Sequence, residues 1–259
     1  MARIIAVANQ KGGVGKTTTC VNLATAFADM HYRTMLVDLD PQGNATTGCG
    51  IEGRALERTA YDVLMQECTL ADALVSNDAL GLDVLPSNAD LTAAEIALMQ
   101  VDARETRLRQ ALVPVMAKYA WIIIDCPPSL NLLTLNALTA ADSVLIPMQC
   151  EYYAMEGLAA LLDTIEQVRA SVNPRLEIEG LLRTMYDGRN NLAGAVSEQL
   201  TEHFGERVYR TIVPRNVRLA EAPSHGLPAI KYDPAAAGSM AYLGLAGEML
   251  RRHRRQAAG

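Results

Sequence analysis

Apolar runs and stretches of helical periodicity alternate along the whole chain. Short runs without polar alternation are typical of strands that are buried on both faces, as in parallel sheets. Between them, apolar residues recur three and four positions apart, which predicts helices. The alternation predicts an α/β fold: a doubly wound, mostly parallel sheet with helices on both faces. The predicted strands are residues 4–8, 34–37, 82–85, 121–125, 143–148, 177–186 and 208–213.

Three longer segments are predicted to be helical. They are residues 45–76, residues 90–118, where we expect Pro114 to kink or break the helix, and residues 235–255. The last of these ends in Arg-Arg-His-Arg-Arg, a composition that suits the negative end of a helix dipole and that would also suit contact with DNA. We find no internal repeat and no linker, so residues 1–259 are expected to form a single domain.

Composition limits the classes of protein to which this chain can belong. With 259 residues, half of them apolar, the chain is long enough for an α/β domain with a sizeable core. No apolar run reaches the ~18 residues of a membrane span. The first strand leaves no room for a signal peptide, so we expect a cytoplasmic protein. The cysteines lack C-x-x-C spacing, which favours free thiols over a metal site: Cys20, Cys49, Cys68, Cys126 and Cys150.

Charge is distributed unevenly along the chain, whose formal net charge is −6. Residues 1–180 carry 12 basic and 22 acidic side chains, whereas residues 181–259 carry 11 and 7. A site for a polyanion is therefore expected in the last third.

A glycine-rich segment, Asn-Gln-Lys-Gly-Gly-Val-Gly-Lys-Thr-Thr over residues 9–18, follows the first strand and opens a predicted helix. Glycines let the backbone turn tightly and bring its N–H groups to an anion, and the helix N-terminus adds its positive dipole end. Lys16 is placed to reach terminal phosphates, and Thr17 supplies a hydroxyl for nucleotide-bound magnesium. The residues predicted to bind nucleotide here are Lys11, Gly12, Gly13, Val14, Gly15, Lys16, Thr17 and Thr18.

This segment departs at one position from the general phosphate-loop pattern G-x-x-x-x-G-K-[ST]. Gln10 stands at the first glycine position, and Lys11 opens the loop. The variant resembles the deviant P-loop (deviant Walker A motif) of the ParA/MinD family of ATPases. In that family this lysine crosses to the nucleotide of a partner subunit. The resemblance therefore implies an ATP-dependent homodimer, with catalytic roles for Lys11 and Lys16.

Acidic residues follow two further predicted strands. Asp38 and Asp40 come directly after the second strand, and Asp125 ends the run 121–125. The carboxyl ends of strands in open α/β sheets form the ligand crevice, so these carboxylates should face phosphates and magnesium. Aspartates also cap turns, and that simpler interpretation stays open, above all for Asp38.

Both acidic segments resemble switch sequences of the same family. In Asp-Leu-Asp-Pro-Gln-Gly-Asn the second aspartate matches the one that positions the attacking water, which is Asp40, with Asp38 near the metal. In Asp-Cys-Pro-Pro-Ser the aspartate matches the one that holds magnesium through its water shell, which is Asp125. The resemblance implies ATP and Mg²⁺ as cofactors, with Thr17 completing the metal site.

The resemblance also places the contacts to the base. The loop of Pro214, Arg215 and Asn216 is implied to flank adenine, with Met185 in the same pocket. The guanine-specific motif N-K-x-D is missing from the sequence, which favours ATP over GTP.

DNA contacts are implied in the same part of the chain. Arginines at places that match Arg189 and Arg218 bind DNA phosphates in ParA-type proteins, and Arg215 would serve either the nucleotide or the DNA. Arginine suits phosphate recognition. Exposed arginines are common, however, so ordinary surface positions are the alternative.

The resemblance to the ParA/Soj chromosome- or plasmid-partition ATPases extends from residue 4 to about residue 242. Larger members carry an N-terminal helix-turn-helix domain, for which there is no room before this P-loop, so operator-specific binding is not expected. The implied function is a slow, magnesium-dependent ATPase that binds nucleoid DNA without sequence preference as a dimer. A ParB-type centromere-binding protein would stimulate hydrolysis and release it.

Three other functions are alternatives. The main alternative is a MinD-type positioning ATPase on the membrane, which needs bulky apolar residues in a C-terminal amphipathic helix, and residues 251–259 have none. An iron–sulfur carrier would need paired cysteines at a dimer seam. A kinase or ligase for a metabolite would need a substrate pocket.

Overall fold

A computed structural model describes residues 2–152 and 154–258 of the chain. In that part the strands are β1 (Arg3–Val7), β2 (Thr34–Asp38), β3 (Val75–Asn77), β4 (Leu82–Leu85), β5 (Trp121–Asp125), β6 (Ser143–Gln149), β7 (Glu177–Tyr186) and β8 (Val208–Pro214). They form one sheet in the spatial order β3-β4-β2-β5-β1-β6-β7-β8. All neighbouring pairs are parallel except β3 and β4, which are antiparallel.

Helices connect the strands and cover the sheet. The helices of the described part are α1 (Lys16–Asp29), α2 (Asn44–Gly48), α3 (Ala60–Met65), α4 (Leu70–Ala73), α5 (Leu91–Leu98), α6 (Arg107–Leu112), α7 (Leu132–Ala140), α8 (Ala154–Ser171), α9 (Asn191–Phe204), α10 (Val217–Glu221), α11 (Ala229–Tyr232) and α12 (Ala237–Ala258). Short 3-10 turns lie between several of them.

The core has two halves, one on each face of the sheet. In β1, Ile4 and Ala6 pack into one cluster, together with residues from α3 to α9. Ile5 and Val7 point the other way and pack with α1, α11 and α12. Successive side chains of a strand point to opposite faces, so apolar residues at every position of β1 are buried on both sides. The predicted doubly wound fold is therefore confirmed.

The structure corrects the two central helical predictions. Residues 45–76 form three short helices and the edge strand β3, because separate capping boxes at Thr59 and Thr69 start new helices. The segment 90–118 is likewise divided: α5 ends at Leu98 and α6 ends at Leu112, two residues before Pro114.

The C-terminal basic run lies in α12, as predicted, but it is not a uniformly exposed tail. His253 Nε2 lies 2.8 Å from Glu179 Oε1. The guanidinium of Arg252 lies 4.0 Å from the ring centroid of Tyr209 and donates to the carbonyl of Glu206. Part of this run therefore holds the helix to the sheet.

Register brings the polar strand ends together. Val7 of β1 and Asp38 of β2 both lie opposite Asp125 of β5. In the outer half of the sheet, Tyr186 of β7 lies opposite Pro214 of β8. Parallel strands present their carboxyl ends at one edge, so the loops that follow them form a single crevice.

A bulge in β7 depends on a glycine. The register of β6 and β7 shifts between Val144 and Leu145, whose partners are Ile178 and Gly180. A Cβ atom at Gly180 would lie 2.5 Å from Tyr209 Cε2 and 2.7 Å from the carbonyl oxygen of Arg207. Tyr209 is fully buried, so its ring has little room to move.

We expect Gly180→Ala to lower the free energy of unfolding by about 1–3 kcal/mol, the usual cost of overpacking. Gly194→Ala is the matched control: it lies in α9, where an added Cβ meets nothing within 4 Å. Alanine there should raise the free energy of unfolding by about 0.5–1 kcal/mol. Urea denaturation measures both, and equal midpoints for Gly180→Ala and the unchanged protein would contradict the packing argument.

Candidate functional site

The glycine-rich loop lies between β1 and α1 with its backbone open to a ligand. Gly13 and Gly15 have left-handed backbones, with φ of 74° and 87°, and Gly15 is the N-cap of α1. No side chain caps this helix, and its first turn holds no acidic residue. A Cβ atom at Gly12 or Gly13 would meet nothing within 4 Å. Free N–H groups at a helix N-terminus form an anion-binding site.

Residues distant in the chain hold this loop in place. The Nδ2 of Asn9 donates to the carbonyl of Pro147 in β6 at 2.8 Å. The hydroxyl of Thr184 in β7 donates to the carbonyl of Val14 at 2.7 Å. The loop that follows β1 is thereby anchored to β6 and β7, which lie on the side of β1 away from β5.

The two lysines of the loop occupy different surroundings. Lys16 is 6% exposed, and its Nζ donates to the carbonyl of Lys11 at 3.2 Å. Burial lowers the pKa of Lys16, although the nearby charge of Asp125 opposes this effect. Lys11 points outward and pairs with Glu151 at 2.5 Å, where both side chains are about half exposed. Lys16 thus faces the crevice, while Lys11 faces the surface.

Asp38 is buried at the end of β2 and its oxygens are occupied. Oδ2 accepts from the backbone N–H of Thr46 at 2.8 Å and from its hydroxyl at 2.7 Å. Oδ1 accepts from the N–H of Asp40 at 3.1 Å. Burial raises the pKa of Asp38 to about 6 despite these hydrogen bonds. Asp40 is 8% exposed, and its Oδ1 accepts from the N–H of Gln42 at 3.0 Å.

Asp125 is buried but keeps one oxygen without a partner. Oδ1 accepts from the thiol of Cys20 at 3.4 Å, whereas Oδ2 has no hydrogen bond. Burial, and next the charge of Asp38, raise the pKa of Asp125 to about 8, and the neighbouring Thr17 side chain works in the opposite direction. A buried carboxylate oxygen without a partner beside a threonine hydroxyl fits a hydrated magnesium ion.

The metal-binding residues available here are few. Among the residues that the structure describes, no group of three or more His, Cys, Asp or Glu side chains is arranged for a metal ion. Magnesium commonly takes one or two protein ligands and completes its shell with phosphate oxygens and water. Thr17 and Asp125 meet that requirement, while Asp38, with both oxygens engaged, supports the adjoining loop.

The residues predicted around the base come from β7 and β8. Met185 has a left-handed backbone, with φ of 47°, and its Cε lies 3.9 Å from the position of a Cβ atom at Gly15. The N–H of Arg215 donates to the carbonyl of Tyr186 at 3.2 Å. The side chain of Asn216 caps α10. Met185 therefore lies beside the phosphate loop, and Pro214, Arg215 and Asn216 lie one strand further out.

A cavity of about 270 Å³ opens beside the first turn of α1. Thr17 and Thr18 line one side of it, α2 a second side, and apolar residues of 219–229 a third. Both threonines of the Thr17-Thr18 pair thus border a space next to the loop.

The three predicted DNA-binding arginines lie at the ends of β7 and β8. Arg189 makes two hydrogen bonds to Asp187, at 2.8 and 2.9 Å, and its side chain is 91% exposed. Arg218 pairs with Glu221 at 2.7 Å and with Asp233 at 3.3 Å. Arg215 is exposed on the loop between them. Two of the three arginines already have carboxylate partners.

Sequence reasoning missed four residues that the structure brings to this site. Thr46 and Ser87 hold the loop of Asp38 and Asp40, Glu151 pairs with Lys11, and Thr184 anchors the glycine loop. Ser87 follows β4, so its place at a strand end was the one available signal.

Comparisons with known proteins agree with this geometry. A family model described as an AAA domain matches residues 2–178. The chromosome partitioning protein ParA of Caulobacter vibrioides is 55% identical over 97% of this chain and 95% of its own length. The chromosome-partitioning ATPase Soj of Thermus thermophilus is 50% identical over 96% of both chains.

A solved structure extends the comparison to the fold. The cobyrinic acid a,c-diamide synthase of Mycobacterium smegmatis, with a bound ATP analogue and magnesium, has a TM-score of 0.86 and 37% identity, and the match covers 98% of this chain and 96% of that one. The sequence identity to the two partition proteins is higher and spans nearly the whole chain. The chain therefore belongs to the ParA/Soj family of chromosome-partitioning ATPases.

Proposed function

We propose that this protein is a nucleotide-driven switch in DNA segregation that uses ATP and magnesium. The observation that carries the proposal is the meeting of Lys16, Asp40 and Asp125 beside an open, glycine-rich helix N-terminus. We propose further that residues 1–259 work as one ATPase domain, because β1 to β8 all belong to one sheet.

Each residue of the site has a task in hydrolysis. The loop N–H groups and Lys16 hold the β and γ phosphates and offset the charge that develops on them. Asp40 orients the attacking water by accepting its hydrogen bond. Thr17 and Asp125 would hold magnesium, which when bound supplies further neutralisation of phosphate charge.

Lys11 is proposed to act on a second copy of the chain. Its outward position and its exposed pair with Glu151 leave it available to another molecule. Exposed ion pairs contribute about 0–1 kcal/mol, so exchange of Glu151 for a phosphate would cost little. In the ATP-bound homodimer, Lys11 would then contact the phosphates held by the partner subunit.

The arginines at the ends of β7 and β8 are proposed to bind DNA phosphates without reading sequence. Dimerisation doubles the number of contacts, which makes DNA binding depend on ATP. The acidic partners of Arg189 and Arg218 weaken each contact, because a phosphate must replace a carboxylate. Such a protein would be cytoplasmic and associated with the nucleoid, and a DNA-bound ParB-type protein would stimulate its hydrolysis and so release it.

Two other functions are less well supported. No helix among the described residues is long and apolar enough to cross a membrane. The apolar face of α12, with Tyr242, Leu245 and Met249, is buried in the core, which disfavours MinD-type membrane binding through this helix. The 37%-identical structure is named a synthase, and such an activity here would require ATP turnover that depends on an added small-molecule substrate.

The first prediction concerns Asp40. Asp40→Ala should reduce ATP turnover by about 10²-fold or more, because the water loses its acceptor, while ATP affinity changes little. Turnover and the binding of a fluorescent ATP analogue are measured on the same preparation. Turnover within two-fold of the unchanged protein would remove Asp40 from the mechanism.

The second prediction concerns Lys11, tested in the Asp40→Ala protein to prevent hydrolysis. Lys11→Ala should leave it monomeric in saturating ATP, as measured by sedimentation, with ATP binding retained. Glu151→Ala is the matched control: it removes the same ion pair but leaves Lys11 in place, so dimers should still form. A dimer in the Lys11→Ala protein would refute the role of Lys11 across the interface.

The third prediction concerns DNA. Arg189→Glu with Arg218→Glu should abolish ATP-dependent binding to random-sequence duplex DNA. The change removes four contacts per dimer, so any residual binding should have a salt slope lower by about 3–4. The control carries the same charge change at exposed arginines elsewhere, Arg58→Glu with Arg109→Glu, and should bind normally. Equal loss of DNA binding in both variants would mean that net charge alone governs binding. Binding of the protein to anionic liposomes is measured as the separate test for membrane binding.

A further inference from the structure

A closed ring of hydrogen bonds joins the loop after β2 to the loop after β4. The hydroxyl of Thr46 donates to Asp38 Oδ2 at 2.7 Å, and the N–H of Ser87 donates to that hydroxyl at 2.9 Å. The hydroxyl of Ser87 donates to the carbonyl of Asp40 at 2.8 Å. The N–H of Asp40 donates to Asp38 Oδ1 at 3.1 Å, which closes the ring.

All four members of the ring are shielded from water. Asp38, Thr46 and Ser87 are at most 1% exposed, and Asp40 is 8% exposed. Buried hydrogen bonds are not exchanged for bonds to water, so they define a single backbone position more strictly than surface ones. Both polar backbone groups of Asp40 are engaged in the ring, and they are therefore held from two sides.

Glycines clamp the Ser87 end of the ring. A Cβ atom at Gly43 would lie 3.0 Å from the carbonyl oxygen of Ser87, and one at Gly53 would lie 2.5 Å from it. The backbone on both sides of α2 thus approaches Ser87 as closely as glycine allows. This packing restricts the Ser87 peptide. The Ser87 hydroxyl therefore donates its hydrogen bond to the Asp40 carbonyl from a well-defined position.

We propose that Thr46 and Ser87 are positioning residues for ATP hydrolysis, which hold Asp40 at the distance that water attack requires. The inference rests on the proposed role of Asp40. Neither residue belongs to the glycine loop, and the hydroxyl of each is used within the ring. Their loss should therefore slow the hydrolytic step while leaving nucleotide affinity intact, because affinity comes from the loop and Lys16. A displacement of about 1 Å can cost about 10²-fold in rate.

The test compares two substitutions of one residue. Thr46→Val keeps the shape of threonine without the hydroxyl, whereas Thr46→Ser keeps the hydroxyl without the methyl group. We expect Thr46→Val to reduce kcat by about 10–100-fold with ATP affinity within about two-fold, and Thr46→Ser to remain within about three-fold of the unchanged protein. Equal loss in both variants would show that the site needs the methyl group for packing and would overturn the proposal.

Ser87→Ala supplies an independent arm in case Thr46→Val does not fold. It removes the hydrogen bond to the Asp40 carbonyl and adds no atom to a tightly packed site. We expect the same reduction in kcat without a change in ATP affinity, in a protein whose circular dichroism spectrum is unaltered. Normal turnover in Ser87→Ala, or in a folded Thr46→Val protein, would refute the positioning role.

A double variant separates this inference from the role of Asp40 itself. If Asp40 acts in hydrolysis and the ring acts through it, Thr46→Val should slow an Asp40→Ala protein no further. Full turnover in Asp40→Ala would overturn the proposed mechanism and the ring together. Loss of turnover in Asp40→Ala, with normal turnover in Thr46→Val and Ser87→Ala, would leave the mechanism standing and overturn the ring alone.

Discussion

The burial of two carboxylates at neighbouring strand ends is the constraint on which the site depends. Asp38 and Asp125 lie opposite each other in the register of β2 and β5, and both are fully buried. Buried charges are costly, and burial raises the pKa of both groups; the charge of Asp38 raises that of Asp125 further. Lys16 offsets part of this charge, but Asp125 still has an oxygen without a partner. The site can therefore bind a cation beside Asp125 and an anion beside Lys16, and a metal–nucleotide complex contains both.

The phosphate loop draws its shape from both halves of the sheet. Its residues follow β1, yet Asn9 and Val14 are held by β6 and β7. Met185, which is predicted to contact the base, comes from the same strand as Thr184, so the loop and this residue share one support. The bulge at Gly180 lies earlier in β7, where the backbone packs closely against Tyr209 of β8. Parts of the sheet far from the phosphates therefore determine the geometry of the site.

The residue proposed to act in hydrolysis is held by buried contacts, whereas the residues proposed to bind other molecules are held by exposed ones. Asp40, proposed to act on water, is held by buried hydrogen bonds that give it one position. Lys11, Arg189 and Arg218, proposed to act on other molecules, are held by exposed ion pairs, which are weak because water and salt screen them. A weak internal partner keeps a charged side chain ordered and still lets it exchange for a phosphate. This division suits a switch whose binding partners change.

Local sequence determined most of the strands, the glycine loop and the identity of the acidic residues, because apolar periodicity, glycine and strand-end aspartates leave signals within a few residues. It did not predict β3, since edge pairing with β4 outweighed helical spacing in that segment. Only the tertiary structure decided the contacts of Thr46 with Ser87, 41 residues apart, and of Lys11 with Glu151, 140 residues apart. A hydrogen bond between distant residues has no periodic signature, because it depends on how the sheet brings two loops together. The sequence thus determined which residue types the site contains, and the register of the sheet determined where those residues lie relative to one another.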